Sequence, residues 1–335
     1  MSSQVTVIAE IGVNHNGSVR RAQELIDLAV ECGADVVKFQ TFSANRLASS
    51  TTPKVAYQER DTSSNSHFDM LRRLELSESD HHVLFSYCAQ VGIEFLSTPY
   101  GVLDAEFLHD LGVARFKTAS ADIVDVPLHE YLASTGRPVI ASTGMASYAE
   151  VDDLVRIYRK SGTDLTLLHT TSEYPTPTEA TNLRRLLALA EHNCPIGFSD
   201  HTEGSQSASM AIAMGASVIE RHITLDRADV GPDHFASDSE PEFRRYVQAI
   251  RKASIRMGSS EFICTAAERS MALTSRKSLH LVASRPSGWT LSEDDLVLRR
   301  PGSGLMWSER SQVVGRQLLK DTPTGAQIGA SDVRS

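Results

Sequence analysis

Eight short apolar segments, each followed by helix-like sequence, limit what this chain can fold into more than any other feature. The segments read VTVIAEIG, VVKFQTF, EFLSTPY, RFKTAS, PVIAST, LTLLHTT, PIGFSD and SVIERHIT. Strand and helix in strict alternation predict an α/β fold with a parallel sheet covered by helices. Nearly every segment ends in reactive polar side chains, and a closed (β/α)8 TIM barrel gathers all such ends around one rim. We therefore favour a barrel enzyme over an open, doubly wound sheet.

Two of the intervening stretches carry clear helix signals. RRAQELIDLAVECGA has apolar residues at helical spacing and reaches Gly33, a natural helix stop. SESDHHVLFSYCAQVG begins with Ser77 and Asp80, which resemble a capping box. We expect this second helix to carry four side chains inward: Val83, Leu84, Tyr87 and Cys88.

The length of the chain predicts more than one domain. At 335 residues it exceeds what one core usually absorbs, and the alternation stops near residues 256–276. We predict a catalytic barrel at 1–260, a linker at 261–275 and a compact β-rich domain at 276–335. So small a domain is expected to dock on the barrel or on another subunit. The polar segment 48–74 interrupts the barrel pattern, and we expect a long loop there that forms a lid or a substrate wall.

Composition excludes several classes of partner. Lysine plus arginine number 33 and aspartate plus glutamate 42, so the net charge of −9 argues against nucleic acid or an anionic membrane. No apolar run approaches the roughly 18–20 residues that cross a bilayer, and the first residues lack a signal-type core. The four cysteines are far apart and form no CxxC pair. We expect a cytoplasmic protein.

One group of strand-end residues has the chemistry of an anion site. Lys38 and Lys117 lie inside apolar runs and should point inward, and hydroxyls of Thr98, Ser120 and Ser142 follow other strands. Two ammonium groups with several hydroxyl donors suit a phosphate and an adjacent carboxylate. The alternative is that each lysine is a surface charge at the start of a loop.

A second group predicts a metal site. His201 follows the seventh strand and His222 lies in the eighth, so neighbouring parallel strands can bring both imidazoles together. Two histidines without thiolates or a dense carboxylate cage indicate a weakly held Mn²⁺ or Mg²⁺. The alternative is two histidines that are hydrogen-bonded within the barrel.

A third group could supply acid–base chemistry and bind hydroxyls. Carboxylates at or just past strand ends are Glu10, Asp122, Glu220 and Asp233. Gln40 and Tyr174 could bind the hydroxyls of a sugar. Any one of these carboxylates could instead cap a helix.

At these residues the chain resembles the sialic acid synthase family. The matching stretches are AEIGVNHNGS, GADVVKFQTF, FLSTPY, STGMAS, LLHTTSEYPTP, GFSDHTEG, ASVIERHIT, GPDHFAS and RRPGSG. The resemblance implies a (β/α)8 barrel followed by an antifreeze-like (SAF) β domain. It also implies a homodimer with swapped C-terminal domains, in which each small domain covers the active site of the partner. The implied enzyme is a transferase that condenses phosphoenolpyruvate with an N-acylated hexosamine such as N-acetylmannosamine.

The resemblance also implies roles for single residues. Those expected to hold phosphoenolpyruvate are Lys38, Thr98, Lys117, Ser120, Ser142, Ser172 and Ser199. Those expected to contact the sugar are Gln40, Tyr174, Asp233 and, from the other subunit, Arg300. The divalent ion would be bound by His201 and His222, and the expected catalytic residues are Glu10, Asp122 and His222. In the implied reaction C3 of phosphoenolpyruvate attacks the metal-polarised aldehyde of the open-chain sugar, water adds at C2, and phosphate leaves by C–O cleavage.

Two departures from the family pattern concern the acceptor. The chain has Ala121-Asp122 where synthases often read Gly-Glu, and Ser172 where an asparagine is common. Shortening a carboxylate moves its oxygen by roughly one bond length, which can change the hydroxyl it binds. A legionaminic or pseudaminic acid synthase that uses a modified deoxy-amino sugar is therefore the alternative. A barrel metallohydrolase would usually have a His-x-His pair, and this sequence has none. A non-catalytic barrel that binds a phosphorylated metabolite would not need the anion, metal and carboxylate groups together.

Overall fold

A computed structural model of the protein describes residues 5–49 and 66–335. It divides into two compact units, Met1–Gly258 and Ser259–Ser335. Among the described residues, no helix is both long enough and apolar enough to cross a membrane.

The first unit contains one eight-stranded parallel sheet. Its strands are β1 (Thr6–Gly12), β2 (Val36–Thr41), β3 (Glu94–Pro99), β4 (Phe116–Thr118), β5 (Val139–Ser142), β6 (Leu165–His169), β7 (Ile196–Asp200) and β8 (Val218–His222). Their order is β3-β2-β1-β8-β7-β6-β5-β4, with β1 hydrogen-bonded to both β2 and β8. Because β3 and β4, at the two ends of this order, also contact each other, the sheet curls into a TIM barrel. Each strand corresponds to one predicted segment, so the barrel prediction is confirmed.

Helices follow the strands. Those of the first unit are α1 (Val19–Cys32), α2 (Ala44–Leu47), α3 (His67–Leu74), α4 (Glu78–Val91), α5 (Val102–Leu111), α6 (Val126–Ser134), α7 (Tyr148–Ser161), α8 (Arg185–Ala190), α9 (Gln206–Ala213) and α10 (Glu240–Met257). Helix α1 ends at Gly33, whose φ of 85° lies in the left-handed region that glycine adopts without strain. Between strands and helices lies the main hydrophobic core.

Helix α4 begins as the sequence predicts, but one of its core assignments is wrong. Ser77 and Asp80 form the capping box, and Leu84 and Cys88 are buried. Tyr87 is half-buried, whereas Val83 is 47% exposed. The buried face runs through His81, which donates or accepts a hydrogen bond with Thr41 Oγ1 at 2.9 Å. Because Val83 is two residues beyond His81, it projects from nearly the opposite side of the helix.

The expected loop at 48–74 contains helix α3 at its end. Met70, Leu71 and Leu74 are buried against the apolar side chains of Val13 and Phe42. The closing part of the segment is therefore packed helix rather than loop. Residues 50–65, where the lid or substrate wall was expected, lie outside the described residues.

The barrel interior is built in layers, and this arrangement positions the site. Six strands contribute a buried apolar cluster: Ile8, Val36, Leu96, Ile140, Leu168 and Val218. Two residues further along the chain from each of these stands a polar residue: Glu10, Lys38, Thr98, Ser142, Thr170 and Glu220. Since alternate residues of a strand face the same side, a polar layer lies directly above an apolar one.

Strand β7 contributes a glycine to the apolar layer. A Cβ on Gly197 would lie 2.4 Å from the carbonyl oxygen of Val218 and 2.5 Å from Cδ2 of Leu168. The absence of a side chain gives these two apolar residues room to meet. Two residues later, Ser199 joins the polar layer.

The second unit has its own small core. Helix α11 (Ala266–Ser275) falls within the segment that we expected to be a linker, and β9 (Ser278–Leu281) pairs antiparallel with β10 (Leu296–Arg299). The buried apolar residues of this unit are Leu279, Leu281, Leu291, Leu296, Val313, Leu318, Ile328 and Val333.

Candidate active site

Lys38 and Glu10 form the centre of the polar layer. The two residues are directly opposite each other in the register of β1 and β2, and Glu10 is also opposite His222 of β8. Lys38 Nζ lies 2.7 Å from Glu10 Oε2 and donates to Thr98 Oγ1 at 3.3 Å. Gln40, two residues along β2, donates to Glu10 Oε1 at 3.2 Å. The structure thus brings these predicted residues together.

A second lysine faces the same interior from β4. Lys117 Nζ donates to Ser142 Oγ at 2.5 Å and to the carbonyl oxygen of Thr118 at 2.8 Å. Lys117 is 2% exposed, which removes the alternative of a surface charge. Both lysines of the predicted anion site are therefore buried.

Glu220 lies between the two lysines. Its Oε1 is 3.8 Å from Lys38 Nζ, its Oε2 is 3.9 Å from Lys117 Nζ, and Ser199 Oγ donates to Oε1 at 2.9 Å. Within the described part of the chain, Glu220 Oε2 accepts no hydrogen bond although it is buried. An anion that entered here would find two ammonium groups that are only partly neutralised.

The buried charges shift one another's titration. Burial raises the pKa of Glu10 to about 7, with Lys38 opposing the shift and Glu220 adding to it. Burial likewise lowers the pKa of Lys117 to about 8, although Glu220 opposes this. For Glu220 burial acts upward, but Lys117 and Lys38 outweigh it and its pKa is lowered. At neutral pH the site therefore combines a carboxyl near its titration point with a lysine that can give up its proton.

Ser120 and Ser172 converge on the backbone of Gly144. Gly144 N–H donates to Ser120 Oγ at 3.0 Å. A Cβ on Gly144 would lie 2.5 Å from Ser172 Oγ and 2.7 Å from Ser120 Oγ. Two hydroxyls and a bare backbone in such close contact form a cradle that a larger residue would fill, a geometry suited to phosphate oxygens.

The two predicted metal ligands are neighbours. The ring centroids of His201 and His222 are 5.5 Å apart, and the Tyr174 ring lies 4.0 Å from that of His201. His201 Nδ1 donates to the carbonyl oxygen of Thr171 at 2.8 Å, which leaves Nε2 as the nitrogen that can bind a metal. Burial lowers the pKa of His201 to about 4 and that of His222 well below its ordinary value. Both imidazoles are therefore neutral, the form that binds a metal.

The donor set fits a weakly held divalent ion. His222 Nδ1 is buried without a hydrogen-bond partner in the described ranges and lies 4.0 Å from Asp233 Oδ2. No group of three or more His, Cys, Asp or Glu with metal-site geometry occurs among residues 5–49 and 66–335. A pair of imidazoles would leave the other coordination positions to water and substrate oxygens, as Mn²⁺ or Mg²⁺ accepts.

The remaining predicted residues occupy three different places. Asp233 is half-buried, and the burial raises its pKa to about 6 although Lys38 opposes the shift. Asp122 follows β4 in a 3-10 turn, and its Oδ2 is buried with no hydrogen-bond partner in the portion of the chain that is described. Burial and Asp125 raise the pKa of Asp122 to about 7, with Lys117 opposing them. Arg300 belongs to the second unit and is exposed.

Two residues of the site have roles that the sequence did not predict. Glu220 was recognised as a strand-end carboxylate, but its place between the lysines depends on strand register. Gly144 lies in the matching stretch STGMAS, and because glycine has no side chain its residue type did not indicate a binding role. A glycine directly after the hydroxyl residues Ser142 and Thr143 at a strand end is the signal that could have indicated it.

Comparison with known proteins then decides the family. A model described as the NeuB family matches residues 25–262, more than half of the chain. The chain belongs to the NeuB family. It is 41% identical to the N,N'-diacetyllegionaminic acid synthase of Legionella pneumophila, over 96% of this chain and 92% of that protein. It is 34% identical to the N-acetylneuraminate-9-phosphate synthase of Mus musculus, over 88% of this chain and 82% of that protein.

A solved structure supports the same assignment. The NeuB-family chain matches the N-acetylneuraminic acid synthetase of Leptospira borgpetersenii with a TM-score of 0.71 and 30% identity, covering 80% of this chain and 90% of that one. The family predicted from sequence, the sialic or nonulosonic acid synthases, is therefore confirmed. The protein is an enzyme of that family.

Proposed function

We propose that this NeuB-family enzyme condenses phosphoenolpyruvate with an N-acylated hexosamine such as N-acetylmannosamine and releases phosphate. The observation that carries the proposal is the buried pair Lys38 and Lys117, with Glu220 between them, next to the neutral histidines His201 and His222. A small dianion and a polar carbonyl compound would find complementary groups side by side.

Phosphoenolpyruvate would bind against the lysines. Its phosphate and carboxylate would accept hydrogen bonds from the ammonium groups, from the polar-layer hydroxyls of Thr98, Ser142 and Ser199, and from Ser120 and Ser172 at Gly144. Charge-assisted hydrogen bonds of this kind are roughly twice as strong as neutral ones. Lys117, whose pKa lies at about 8, would be held in its charged form by the bound anion.

The bonds that change are few. A bond forms between C3 of phosphoenolpyruvate and the aldehyde carbon of the open-chain sugar, and the aldehyde oxygen takes a proton. A water oxygen adds to C2 and loses a proton. The C2 hydroxyl then gives up its remaining proton and forms the keto C=O bond as the bond between C2 and the phosphate oxygen breaks, and phosphate takes up that proton as it leaves. Glu10, with its pKa at about 7, would accept the proton of the water. Lys38, 2.7 Å away, would stabilise the resulting charges.

A divalent ion would be held by the two histidines. His201 and His222 supply neutral nitrogens, and Mn²⁺ or Mg²⁺ bound there would act as a Lewis acid toward a carbonyl oxygen. Tyr174, whose ring lies against that of His201, fixes one wall of this part of the site.

The acceptor would lie on the other side of the histidines. Gln40 and Asp233 would bind its hydroxyls, and Asp122 and Ser172 are the positions at which the sequence departs from the family pattern that the resemblance implies. The second candidate is a diacetamido deoxyhexose acceptor, since the 41% identical relative is named an N,N'-diacetyllegionaminic acid synthase.

The second unit would act as an antifreeze-like (SAF) domain in a swapped homodimer. The support is the RRPGSG stretch and the exposure of Arg300 within it. In this arrangement Arg300 of one subunit would contact the acyl-amino group of the sugar bound to the other.

Phosphate release tests the proposal. The full chain is incubated with phosphoenolpyruvate and Mn²⁺, with and without N-acetylmannosamine or a diacetamido deoxyhexose. Released phosphate is measured, and the masses of the products are determined by mass spectrometry. Release that requires a sugar, with a product carrying three added carbons, supports condensation. Binding of phosphoenolpyruvate without turnover on any amino sugar would instead support a non-catalytic barrel.

A further inference from the structure

The loop after β8, residues 223–239, is bonded to the loop after β1 by a buried amide. Asn14 Nδ2 donates to the carbonyl oxygen of Ile223 at 2.8 Å and to Ser237 Oγ at 2.9 Å. Asn14 is 1% exposed, and within the described ranges its Oδ1 accepts no hydrogen bond. The amide therefore acts through its two donors, one to each end of the loop.

Ser237 passes this connection on to Asp233. Its hydroxyl accepts from Asn14 and donates to the carbonyl oxygen of Asp233 at 2.7 Å. Both capacities of the hydroxyl are in use, which fixes the direction of the relay. The backbone of Asp233 is thereby tied to a residue of the strand-end loop at β1.

A second set of hydrogen bonds joins the same loop to the loop after β1. His234 Nδ1 lies 2.7 Å from Thr224 Oγ1, and His234 Nε2 lies 3.2 Å from Asn16 Oδ1. Asn16 Nδ2 donates to the carbonyl oxygen of Val230 at 3.0 Å. The loop has little freedom around Asp233 because both of its flanks are bonded to residues 14–16.

The side chain that these bonds position faces the reaction site. Asp233 Oδ2 lies 4.0 Å from His222 Nδ1, and the side chain of the aspartate is 12% exposed. A displacement of its backbone by a few tenths of an ångström would move the carboxylate relative to any hydroxyl that it binds. Loss of one of these hydrogen bonds should therefore weaken binding of the acceptor sugar more than binding of the anion at the lysines.

We infer that Asn14, acting through Ser237, is a positioning residue that sets the place of Asp233 for the acceptor sugar. The inference rests on the proposed function, in which Asp233 contacts that sugar. It assigns a role to the first asparagine of AEIGVNHNGS, which the proposed anion and metal sites do not use.

The test is a set of steady-state measurements with two variable substrates. Ser237→Ala and Asn14→Ala are assayed with phosphoenolpyruvate, Mn²⁺ and either N-acetylmannosamine or a diacetamido deoxyhexose. We expect KM for the sugar to rise about fivefold, the equivalent of one lost hydrogen bond, while KM for phosphoenolpyruvate and kcat stay within about twofold.

Thr163→Val is the matched control. Thr163 Oγ1 also donates from a buried position to a carbonyl oxygen, that of Ala133 at 2.8 Å, but it precedes β6 at the opposite end of the barrel. This variant should lose comparable stability and leave both KM values unchanged. If Ser237→Ala melts below the assay temperature, Ser237→Cys, which keeps the volume and weakens the bond, replaces it.

Each outcome separates the two ideas. Wild-type protein that releases no phosphate with either sugar overturns the proposed function, and the positioning role falls with it. Active wild type whose Ser237 and Asn14 variants raise both KM values together, or neither, overturns the positioning role alone.

Discussion

Lys117 Nζ lies 3.9 Å from Glu220 Oε2, and both side chains are almost completely buried inside the barrel. Lys38 reaches the same carboxylate from the other side, at 3.8 Å. Glu220 is thus a counter-charge that two lysines share. The three residues that we propose as the centre of the anion site therefore also bear on the stability of the barrel.

Glu220→Gln should destabilise the protein by about 3 kcal/mol, because two buried ammonium groups lose the charge that they share. The free energy of unfolding in urea at pH 7 measures this loss. Glu24→Gln is the control, since Glu24 forms an exposed ion pair with Arg20 at 3.3 Å and should cost less than about 0.5 kcal/mol. Equal losses in the two variants would show that the buried charges do not support the fold.

Gly144→Ala should weaken phosphoenolpyruvate binding at least about tenfold, because the added methyl group would occupy the space between Ser120 and Ser172. The expected signature is a higher KM for phosphoenolpyruvate with little change in KM for the sugar. Gly329→Ala serves as the control, since its Cβ would meet only ordinary contacts, 3.7 Å from Asp332 Oδ2. An unchanged KM for phosphoenolpyruvate in Gly144→Ala would show that the cradle at Gly144 is not part of the anion site.

Mn²⁺ should raise the melting temperature of the wild-type protein and not that of His201→Ala or His222→Ala. Saturation at about 100 times Kd corresponds to roughly 2.7 kcal/mol of stabilisation. The control is His192→Ala, which removes a buried histidine whose ring stacks on Tyr148 at 5.1 Å, away from the site. If Mn²⁺ still raised the melting temperature of His201→Ala and of His222→Ala, the ion would bind elsewhere.

Asp122→Asn should be more stable relative to the wild-type protein at pH 8 than it is at pH 4. Burial and Asp125 raise the folded-state pKa of Asp122 to about 7, above that of the unfolded chain. The folded state therefore holds the proton more tightly, and the stability that this provides is present below pH 4 and lost as the pH rises through 7. Thermal unfolding at both pH values should show a relative gain of the order of 2 kcal/mol for the variant at pH 8. The same change at Asp153, which is exposed in an ion pair with Arg156, is the comparison.

Arg300→Ala should lower turnover at least about tenfold while the melting temperature of the protein stays the same. The exposed neighbour Arg299 offers the matched substitution, which should leave activity intact. Full activity of Arg300→Ala, or equal loss in the two variants, would contradict the role of the second unit at a partner's site.

The sequence predicted the barrel and most of the pocket for one physical reason. Alternate residues of a strand share a face, so Glu10, Lys38 and Glu220 had to follow apolar interior residues by two positions. What it could not supply was the stagger between strands, which decides that Glu220 rather than Glu10 stands between both lysines. The same holds for contacts that join distant loops, such as Tyr174 against His201.

The error at Val83 has a different origin. An apolar residue suggested the buried face of α4, whereas the polar His81 occupies that face and satisfies its ring nitrogens with Thr41 Oγ1 and the carbonyl oxygen of Ser77. A hydrophobicity pattern assigns such a histidine to solvent. Burial is favourable only because both ring nitrogens have partners, and one of these partners, Thr41, lies in strand β2.

The direction from which a ligand can approach the lysines is limited by one apolar cluster: Ile8, Val36, Leu96, Ile140, Leu168 and Val218. It fills the barrel interior beneath the lysines, so no polar ligand reaches them through that layer. Anything that contacts Lys38 or Lys117 must therefore come from the side at which the strands end.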